Sequence, residues 1–341
     1  MQTGKKKRGV RVEDIAALAG VSAATVSRAL NDSPLVKDDT KRHIWALAKE
    51  NQYSFRPQMP TALSGAEATI IVAIPAPVGR TGGPADPFFM ELIGGIGEAA
   101  REAGCDIIIS HVTPRSYEDA AAIVETSRAE GVIFLGQSFL HDRFNQMADR
   151  YNRFVVWGAE LPGQKYCSVG SMNLRGGERA VSHLIRLGRK RIAFFGETEA
   201  PEILQRFEGY KKALKQAGLP VDNDLIASAH FGVESAEDAV RRLLARGVKF
   251  DAIFGASDLI ALGSIRALTK AGLSVPGDAA VVGYDNILLA RYSSPALTTI
   301  SQDMALAGRV MVTKLLDKSH GDSLLSEQLP TDLIVRETCG A

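Results

Sequence analysis

Among the 341 residues, the side chain best equipped to read another molecule is Arg28. It stands in "GVSAATVSRALN", residues 20–31, where it is the only charged residue. A guanidinium presents its N–H donors as a planar fork, and the fork fits O6 and N7 of guanine in the major groove. Ala23 and Ala24 precede it and offer only methyl contacts, of the kind a thymine methyl accepts. Thr25, Ser27, Asn31 and Thr40 carry short polar groups suited to phosphates. The plainer alternative is a helical hairpin whose arginine is simply solvated. Catalytic groupings are weaker. None of the six histidines lies in HExxH or beside GxSxG, and "GGIGEA" and "GVIFLG" match neither a Walker A loop nor a full GxGxxG. Asp/Glu pairs exist, but nothing in the sequence fixes their separation. An enzyme is therefore the weaker reading.

The elements that would position Arg28 are short. Ile15, Ala16, Ala19 and Val26 recur at helical spacing and turn one face inward. Gly20 breaks the first helix, because glycine takes the left-handed conformation without steric cost. Ser22 stands where its oxygen can cap the second helix. Small residues Ala16, Ala17, Ala23 and Ala24 let helices approach closely. A third helix, about Asp38 to Asn51, brings Ile44, Leu47 and Ala48 to the same core. Charge is divided unevenly. Residues 1–65 hold 11 Lys/Arg against 6 Asp/Glu, or +5, and the remainder is −4, although the whole chain is only +1. "KKKR" at residues 5–8 reads as a solvated tail, but Arg28, Lys37, Lys41, Arg42, Lys49 and Arg56 are dispersed through patterned sequence. This asymmetry marks a basic module that meets a polyanion.

Beyond a Pro- and Gly-marked linker, "FRPQMPTALSGAEAT" at residues 55–69, the pattern changes. Apolar runs "IIVAIPA", "DIIIS", "GVIFLG", "FVVWGA", "RIAFFG", "DAIFGAS" and "AAVVGYD" alternate with amphipathic stretches such as "ELIGGIGEAAREAG" and "AEDAVRRLLARG". Short buried strands alternating with helices predict α/β layers with parallel sheets. Roughly 270 residues are many for one sheet, so two lobes are expected, with a ligand cleft at the carboxyl ends of their strands. Cys105, Cys167 and Cys339 form no CxxC, which argues against a zinc site or disulfide framework and fits a reducing, cytoplasmic setting. No signal-peptide core or membrane-length apolar run occurs.

The segment "VEDIAALAGVSAATVSRALNDSPLVKDDTKRHIWALAKENQY" resembles the headpiece of the LacI/GalR family of bacterial transcription regulators. Asp14, Ala16, Ala19, Gly20, Val21, Ser22, Thr25, Val26, Ser27, Arg28, Leu30 and Asn31 all match its usual form. "DPFFMELIGGIGEAAREAG", "SDLIALG" and "VVGYDNILLARYSSPALTTI" extend the resemblance, which covers essentially the whole chain from Val10. It departs at Arg11, where the family has a capping threonine, and at Lys37, where a serine usually opens the third helix; Asp38 or Asp39 would cap there instead. The resemblance implies that the linker forms a short hinge helix on DNA, about Thr61 to Ala66, with a leucine wedged into the minor groove. Tyr53 and Pro57 match the linker pattern, but "RPQMPTAL" hides a one-residue shift. Counting back from Gly65 makes Leu63 the wedge, and counting forward from Pro57 selects Ser64. Leu63 is the choice; its alternative role is a staple against the lobe below.

The same resemblance implies an effector domain of periplasmic-binding-protein type. Phe88, Phe89 and Phe231 match cleft aromatics, Arg206 the ligand-binding arginine, and Asp258 and Asp285 acceptors of hydroxyl hydrogen bonds. Asn173 and Gln302 match polar cleft positions more loosely. Each has a structural alternative: core aromatic, surface ion pair or helix cap. A purine-binding branch carries a further arginine at the position of Ala200, so its loss favours a sugar or sugar derivative.

The expected fold class is a small all-α helix-turn-helix headpiece plus an α/β two-lobed domain with parallel sheets and helices on both faces. The expected organisation is a headpiece at 1–55, a hinge linker at 56–66 and an effector-binding and dimerisation domain at 67–341. Its N-lobe is expected at about 67–170 and 298–325, and its C-lobe at about 171–297 and 326–341. The expected function is a cytoplasmic homodimeric repressor of a pseudo-palindromic double-stranded DNA operator, controlled by a sugar-like effector. No cofactor, metal or membrane partner is expected, and no coiled-coil tetramer. A corepressor-dependent regulator or an activator answering a non-sugar metabolite is the alternative. The lobes alone would also suit a transport-type sugar-binding protein, which the basic headpiece and missing signal peptide argue against.

Overall fold

Short strands that are apolar on both faces bury themselves only between two layers of helix, and most of this chain folds on that plan. The computed structural model describes residues 12–30, 35–51, 68–75, 86–110, 112–126, 129–137, 140–230, 232–317 and 325–341. The chain divides after Gly65 into two units. The first contains α1 (Val12–Ala19), α2 (Ala23–Leu30) and α3 (Asp38–Glu50). Ile15, Val26, Ala29 and Ile44 are fully buried among them, and Ala16, Leu30, Val36 and Ala48 complete the core with Leu47 packed at its edge. Gly20 has φ of 66°, yet a Cβ there would meet open space, so backbone handedness rather than crowding requires glycine. The Ser22 hydroxyl accepts the Thr25 amide at 3.1 Å, which caps α2. One expectation changes. Because α3 begins at Asp38, Asp39 lies inside the first turn and pairs with Arg42 instead of capping the helix. The side chain of Asp38, and Arg11, lie outside the described residues.

In the second unit, the strands are β1 (Ala68–Ala73), β2 (Cys105–Ile109), β3 (Gly131–Leu135), β4 (Phe154–Trp157), β5 (Ser168–Ser171) and β6 (Ile192–Phe195). They continue with β7 (Ile226–Ala227), β8 (Ala252–Gly255), β9 (Ala280–Asp285), β10 (Thr298–Gln302), β11 (Glu327–Leu329) and β12 (Thr331–Ile334). The helices are α4 (Pro87–Glu102), α5 (Tyr117–Thr126), α6 (His141–Ala148), α7 (Asn173–Arg186) and α8 (Pro201–Gln216), then α9 (Val233–Ala245), α10 (Asp258–Lys270), α11 (Leu288–Tyr292) and α12 (Met304–Leu316). One sheet has the order β11-β5-β4-β3-β1-β2 and the other β12-β10-β9-β8-β6-β7. Every pairing is parallel except that of β12 with β10.

The chain passes between the lobes three times: from β5 to α7, from β10 to α12, and from β11 to β12. Two of these crossings are tied to each other, the Met172 amide donating to the Leu329 carbonyl at 2.9 Å. The later crossings fall one strand beyond the expected boundaries. Residues 298–302 belong to the second sheet, where β10 is held between β9 and β12, and 327–329 close the edge of the first. A strand goes where its backbone ladder is, and each of these short segments pairs with the lobe it has not yet left.

Helices α7 and α8 touch through glycine. A Cβ on Gly177 would collide with the backbone of Arg206, and one on Gly209 with the backbone of Leu174. Rigid backbone cannot yield as a side-chain tip does, so this contact sets how close Arg206 stands to the start of α7. Gly177→Ala should cost about 1–3 kcal/mol. For a unit of this size that lowers the unfolding midpoint by about 2–4 °C per kcal/mol. An unchanged midpoint in thermal denaturation would show that the helices separate freely and that the glycine is not needed.

Candidate functional site

The outward face of α2 comes from its 3.6-residue period. Val26, Ala29 and Leu30 are buried, Ala24 and Arg28 are exposed one turn apart, and Ala23, Thr25 and Ser27 are half-exposed. The Thr25 hydroxyl lies 2.9 Å from that of Ser22, which holds it at the start of the helix. Thr40 is half-exposed in the first turn of α3, beside exposed Lys37 and Arg42 and half-exposed Lys41. The structure thus gathers the described candidates of the first unit around two helix starts, with Arg28 one turn further along α2. Asn31, Tyr53, Leu63, Ser64, Pro57, Pro60, Arg56, "KKKR" and the whole 56–66 linker lie outside the described residues, as does the side chain of Lys49.

In the second unit the candidates converge on Arg206. Its guanidinium is almost completely buried. Nε donates to Asn173 Oδ1 at 2.9 Å, and Nη1 donates to the Ala256 carbonyl at 2.6 Å. Nη1 also faces Asp285 Oδ1 at 3.5 Å, and the guanidinium carbon lies 3.7 Å from the centre of the Tyr284 ring. Cation–π contact, ion pair and hydrogen bonds together fix the plane of the fork. Gln302 Nε2 donates to the same Asp285 oxygen at 2.7 Å, and Gln302 Oε1 accepts from the Ser171 hydroxyl. Ser171 ends β5 of the first sheet, and Gln302 ends β10 of the second. One hydrogen-bonded chain, Ser171–Gln302–Asp285–Arg206–Asn173, therefore runs through two of the three interlobe crossings.

The backbone beneath this chain is strained. Asp285 has φ of 117° and Asn286 φ of 59°, conformations that cost non-glycine residues on the order of 1–3 kcal/mol each. Side chains hold the turn from several directions. Asn286 donates to Ser301 Oγ at 3.2 Å and accepts from Arg336 Nη2 at 2.7 Å. Asp258 Oδ2 accepts the Ile287 amide at 2.9 Å, while its Oδ1 accepts from the Thr299 hydroxyl. Asp258 is completely buried, so the geometry gives it the turn to hold rather than an open face. Burial, and then the Asp285 carboxylate, push its carboxyl well above the usual carboxylate range. Burial also pushes the Tyr284 phenol up to about 12.

The aromatic candidates separate. Asp86 caps α4, accepting the Phe88 amide at 2.9 Å, and Pro87 opens the helix. This places Phe88 half-buried, its ring centre 6.2 Å from that of Trp157 at the end of β4. Phe89, one residue on, points into the first lobe's core and is 5% exposed. Phe231 lies outside the described residues.

A family model for bacterial regulatory proteins of the lacI family matches residues 11–55, and one for a periplasmic binding protein-like domain matches residues 181–339. The HTH-type transcriptional regulator CelR of Thermobifida fusca is 32% identical over 345 residues, covering 98% of this chain and 99% of its own. The chain belongs to the LacI family. The HTH-type transcriptional repressor CytR of Escherichia coli K12 is 30% identical over 341 residues, covering 98% of each chain. A solved CelR–cellobiose complex superposes with a TM-score of 0.69 at 30% identity, covering 96% of this chain and 99% of that one. The lac repressor dimer bound to operator and the anti-inducer ONPF gives 0.68 at 25% identity, covering 98% and 100%. As a LacI-family protein the chain is a DNA-binding transcriptional regulator and not an enzyme. Among the described residues, no helix is long and apolar enough to cross a membrane, and no group of three or more His, Cys, Asp or Glu could hold a metal.

Sequence reasoning missed Tyr284, Ser171, the Ala256 carbonyl and Arg336. Tyr284 sits within "GYDN", beside the aspartate that drew attention, but nothing in its spacing shows that its ring lies under an arginine 78 residues earlier. The Asp258 assignment carries a test. A carboxyl raised by folding contributes stability that is fully present below its unfolded value, about 3.9, and is lost as pH rises toward its folded value. Asp258→Asn still offers an oxygen to the Ile287 amide but cannot ionise. Denaturation at pH 4 and pH 8 should therefore show the variant gaining on the natural protein at the higher pH. A parallel pH response in the two would mean that Asp258 ionises as easily folded as unfolded.

Proposed function

We propose that this regulator is a cytoplasmic homodimeric repressor released from its operator by a neutral sugar bound between the lobes. The observation that carries the reading is the buried chain from Ser171 to Arg206, built at strand ends and routed through the crossings. The Arg206 charge is already met by Asp285, so the site offers directional donors and acceptors more than net positive potential. Vicinal hydroxyls suit such a site better than a phosphate does. In this reading Arg206, Asp285, Gln302 and Asn173 bind hydroxyl groups, Phe88 and Trp157 present a ring face to the sugar, and Phe231 adds a second. The similarity to CelR in its cellobiose complex supports a sugar.

Two copies of α2 would lie in successive major grooves of a pseudo-palindrome, Arg28 reading guanine, Ala23 and Ala24 meeting methyl groups, and Thr25, Ser27, Asn31, Thr40 and Tyr53 holding phosphates. Leu63 of each copy would enter the minor groove at the centre. A dimer is supported by apolar side chains left exposed on α11, where Leu288, Leu289 and Tyr292 are 60%, 49% and 71% exposed, and by the similarity to the lac repressor dimer. On the DNA side, Arg28→Ala should weaken cognate binding by roughly 1–3 kcal/mol and relax preference at one base pair. A titration over operator variants that leaves base preference unchanged would remove Arg28 from the reading role. On the effector side, cellobiose and other neutral mono- and disaccharides, sugar phosphates and nucleosides are to be compared by thermal shift and operator release. A neutral sugar should stabilise the natural protein and release DNA, and Arg206→Lys, which keeps the charge without the fork, should lose that response while still binding operator. A response confined to phosphates or nucleosides would overturn the assignment.

A further inference from the structure

The segment that follows Asp285 carries more than a cleft residue. Over eight positions it passes from Asp285 at the end of β9, through the strained Asn286, to α11 with its exposed apolar side chains. Two successive backbone amides in it are held by different neighbours. Asp258 takes the Ile287 amide from within the second lobe. The next amide, that of Leu288, is taken at 2.7 Å by Glu91 Oε1, and Glu91 lies on α4 of the first lobe. α11 has no cap of its own. Its N-cap residue is Ile287, which has no side-chain acceptor, so the first-turn amides depend on a partner from elsewhere. Glu91 supplies that partner across the gap between the lobes.

We propose that Glu91 is an interlobe latch, a positioning residue that ties α11 to the first lobe when the cleft is closed and so passes cleft closure to the exposed face of Leu288, Leu289 and Tyr292. Three features of the geometry support it. The acceptor comes from α4, the helix whose first turn carries Phe88, so a shift of that cleft wall moves the latch. The donor is three residues from Asp285, whose carboxylate is tied to Arg206 and Gln302. Between them Asp258 holds the Ile287 amide while Ser301 and Arg336 hold the Asn286 side chain, so little slack exists to absorb a movement. On the other lip, Gln205 Nε2 of α8 donates to the Glu160 carbonyl at 3.2 Å. The two contacts differ in kind. Gln205 lies on a flexible side chain and reaches an exposed loop, whereas Glu91 grips the main chain of a segment that starts in the cleft. The inference does not depend on which small molecule binds.

The test uses the full chain without ligand. Arg101 on α4 and Arg241 on α9 have side chains that are 72% and 73% exposed, and the three native cysteines are buried. Nitroxide labels on Arg101→Cys and Arg241→Cys, diluted with excess unlabelled chain, report the distance between lobes by pulsed electron resonance. In the Glu91 background a single narrow distribution is expected. Glu91→Ala should broaden it or move it to a different distance, and Glu91→Gln, whose amide oxygen still accepts, should restore the narrow one. Hydrogen exchange at residues 288–292 should rise roughly two- to tenfold in Glu91→Ala and return toward the natural rate in Glu91→Gln. A role confined to stabilising α4 would lower the melting temperature without moving the interlobe distance. Unchanged distance and unchanged exchange in Glu91→Ala, or failure of Glu91→Gln to restore them, would overturn the latch.

Discussion

Everything in the larger unit leans on one buried ion pair. Arg206 and Asp285 stand 3.5 Å apart with side chains 6% and 8% exposed. Taking two charges out of water is expensive, and a buried pair is often no more stabilising than the apolar residues that could replace it. The arrangement survives because each charge has further partners. Arg206 has an amide oxygen, a carbonyl and the face of Tyr284, and Asp285 has the Gln302 amide. The strained φ of Asp285 adds to the cost. A costly and strained pair at a strand end is where the proposed effector site draws its donors and acceptors. The net charge of the pair is balanced, so it offers directional donors and acceptors more than net potential.

The location of that pair explains how a small ligand could move large bodies. Its neighbour Gln302, and Ser171 which donates to Gln302, are the last residues of strands that lead into interlobe crossings, and Asn173 is the first residue beyond one of them. The crossing at Met172 is bonded to the one at Leu329. A ligand that reorganises donors around Asp285 therefore acts on the hinge itself, with no long relay of side chains. Coupling energies of about 1–3 kcal/mol are ordinary for such switches, and a change in one or two charge-assisted hydrogen bonds is of that size.

The headpiece was legible because its signals are local. Gly20 punctuates, Ser22 caps, and the apolar period from Ile15 to Ala48 marks three helices whose core the structure reproduces. The long aliphatic strands were legible for the same reason. Five of the described strands lie outside those apolar runs, β5, β7, β10, β11 and β12, and all are short segments that pair where a neighbour offers a ladder. β10 and β11 flank the two later crossings, so those lobe boundaries slipped with them. Within the site, residue type identified Arg206 and Asp285 but not the direction in which side chains point. Phe88 and Phe89 are adjacent and alike, and only the placement of α4 leaves one half-buried at the edge of the first lobe's core and the other within it. Asp258 reads as a hydroxyl acceptor by type, whereas its partners are a main-chain amide and a threonine of its own lobe.

The small size of the reading helix then constrains the rest of the molecule. α2 has eight residues and turns three of them, Val26, Ala29 and Leu30, into the headpiece core. In the proposed reading role, one forked contact from Arg28 is worth about 1–3 kcal/mol of discrimination, whereas specific sites are typically preferred over other DNA by about 4–10 kcal/mol. A single headpiece cannot supply that difference, but two held at a fixed spacing can. Register between two copies is a property of whatever surface joins them, and the exposed face of α11 begins three residues from the cleft aspartate. A molecule built this way need not weaken any contact between protein and base in order to let go of DNA. On the proposed latch, it has only to change the angle at which two intact readers are presented, and the segment from Asp285 to Tyr292 is the one placed to do so.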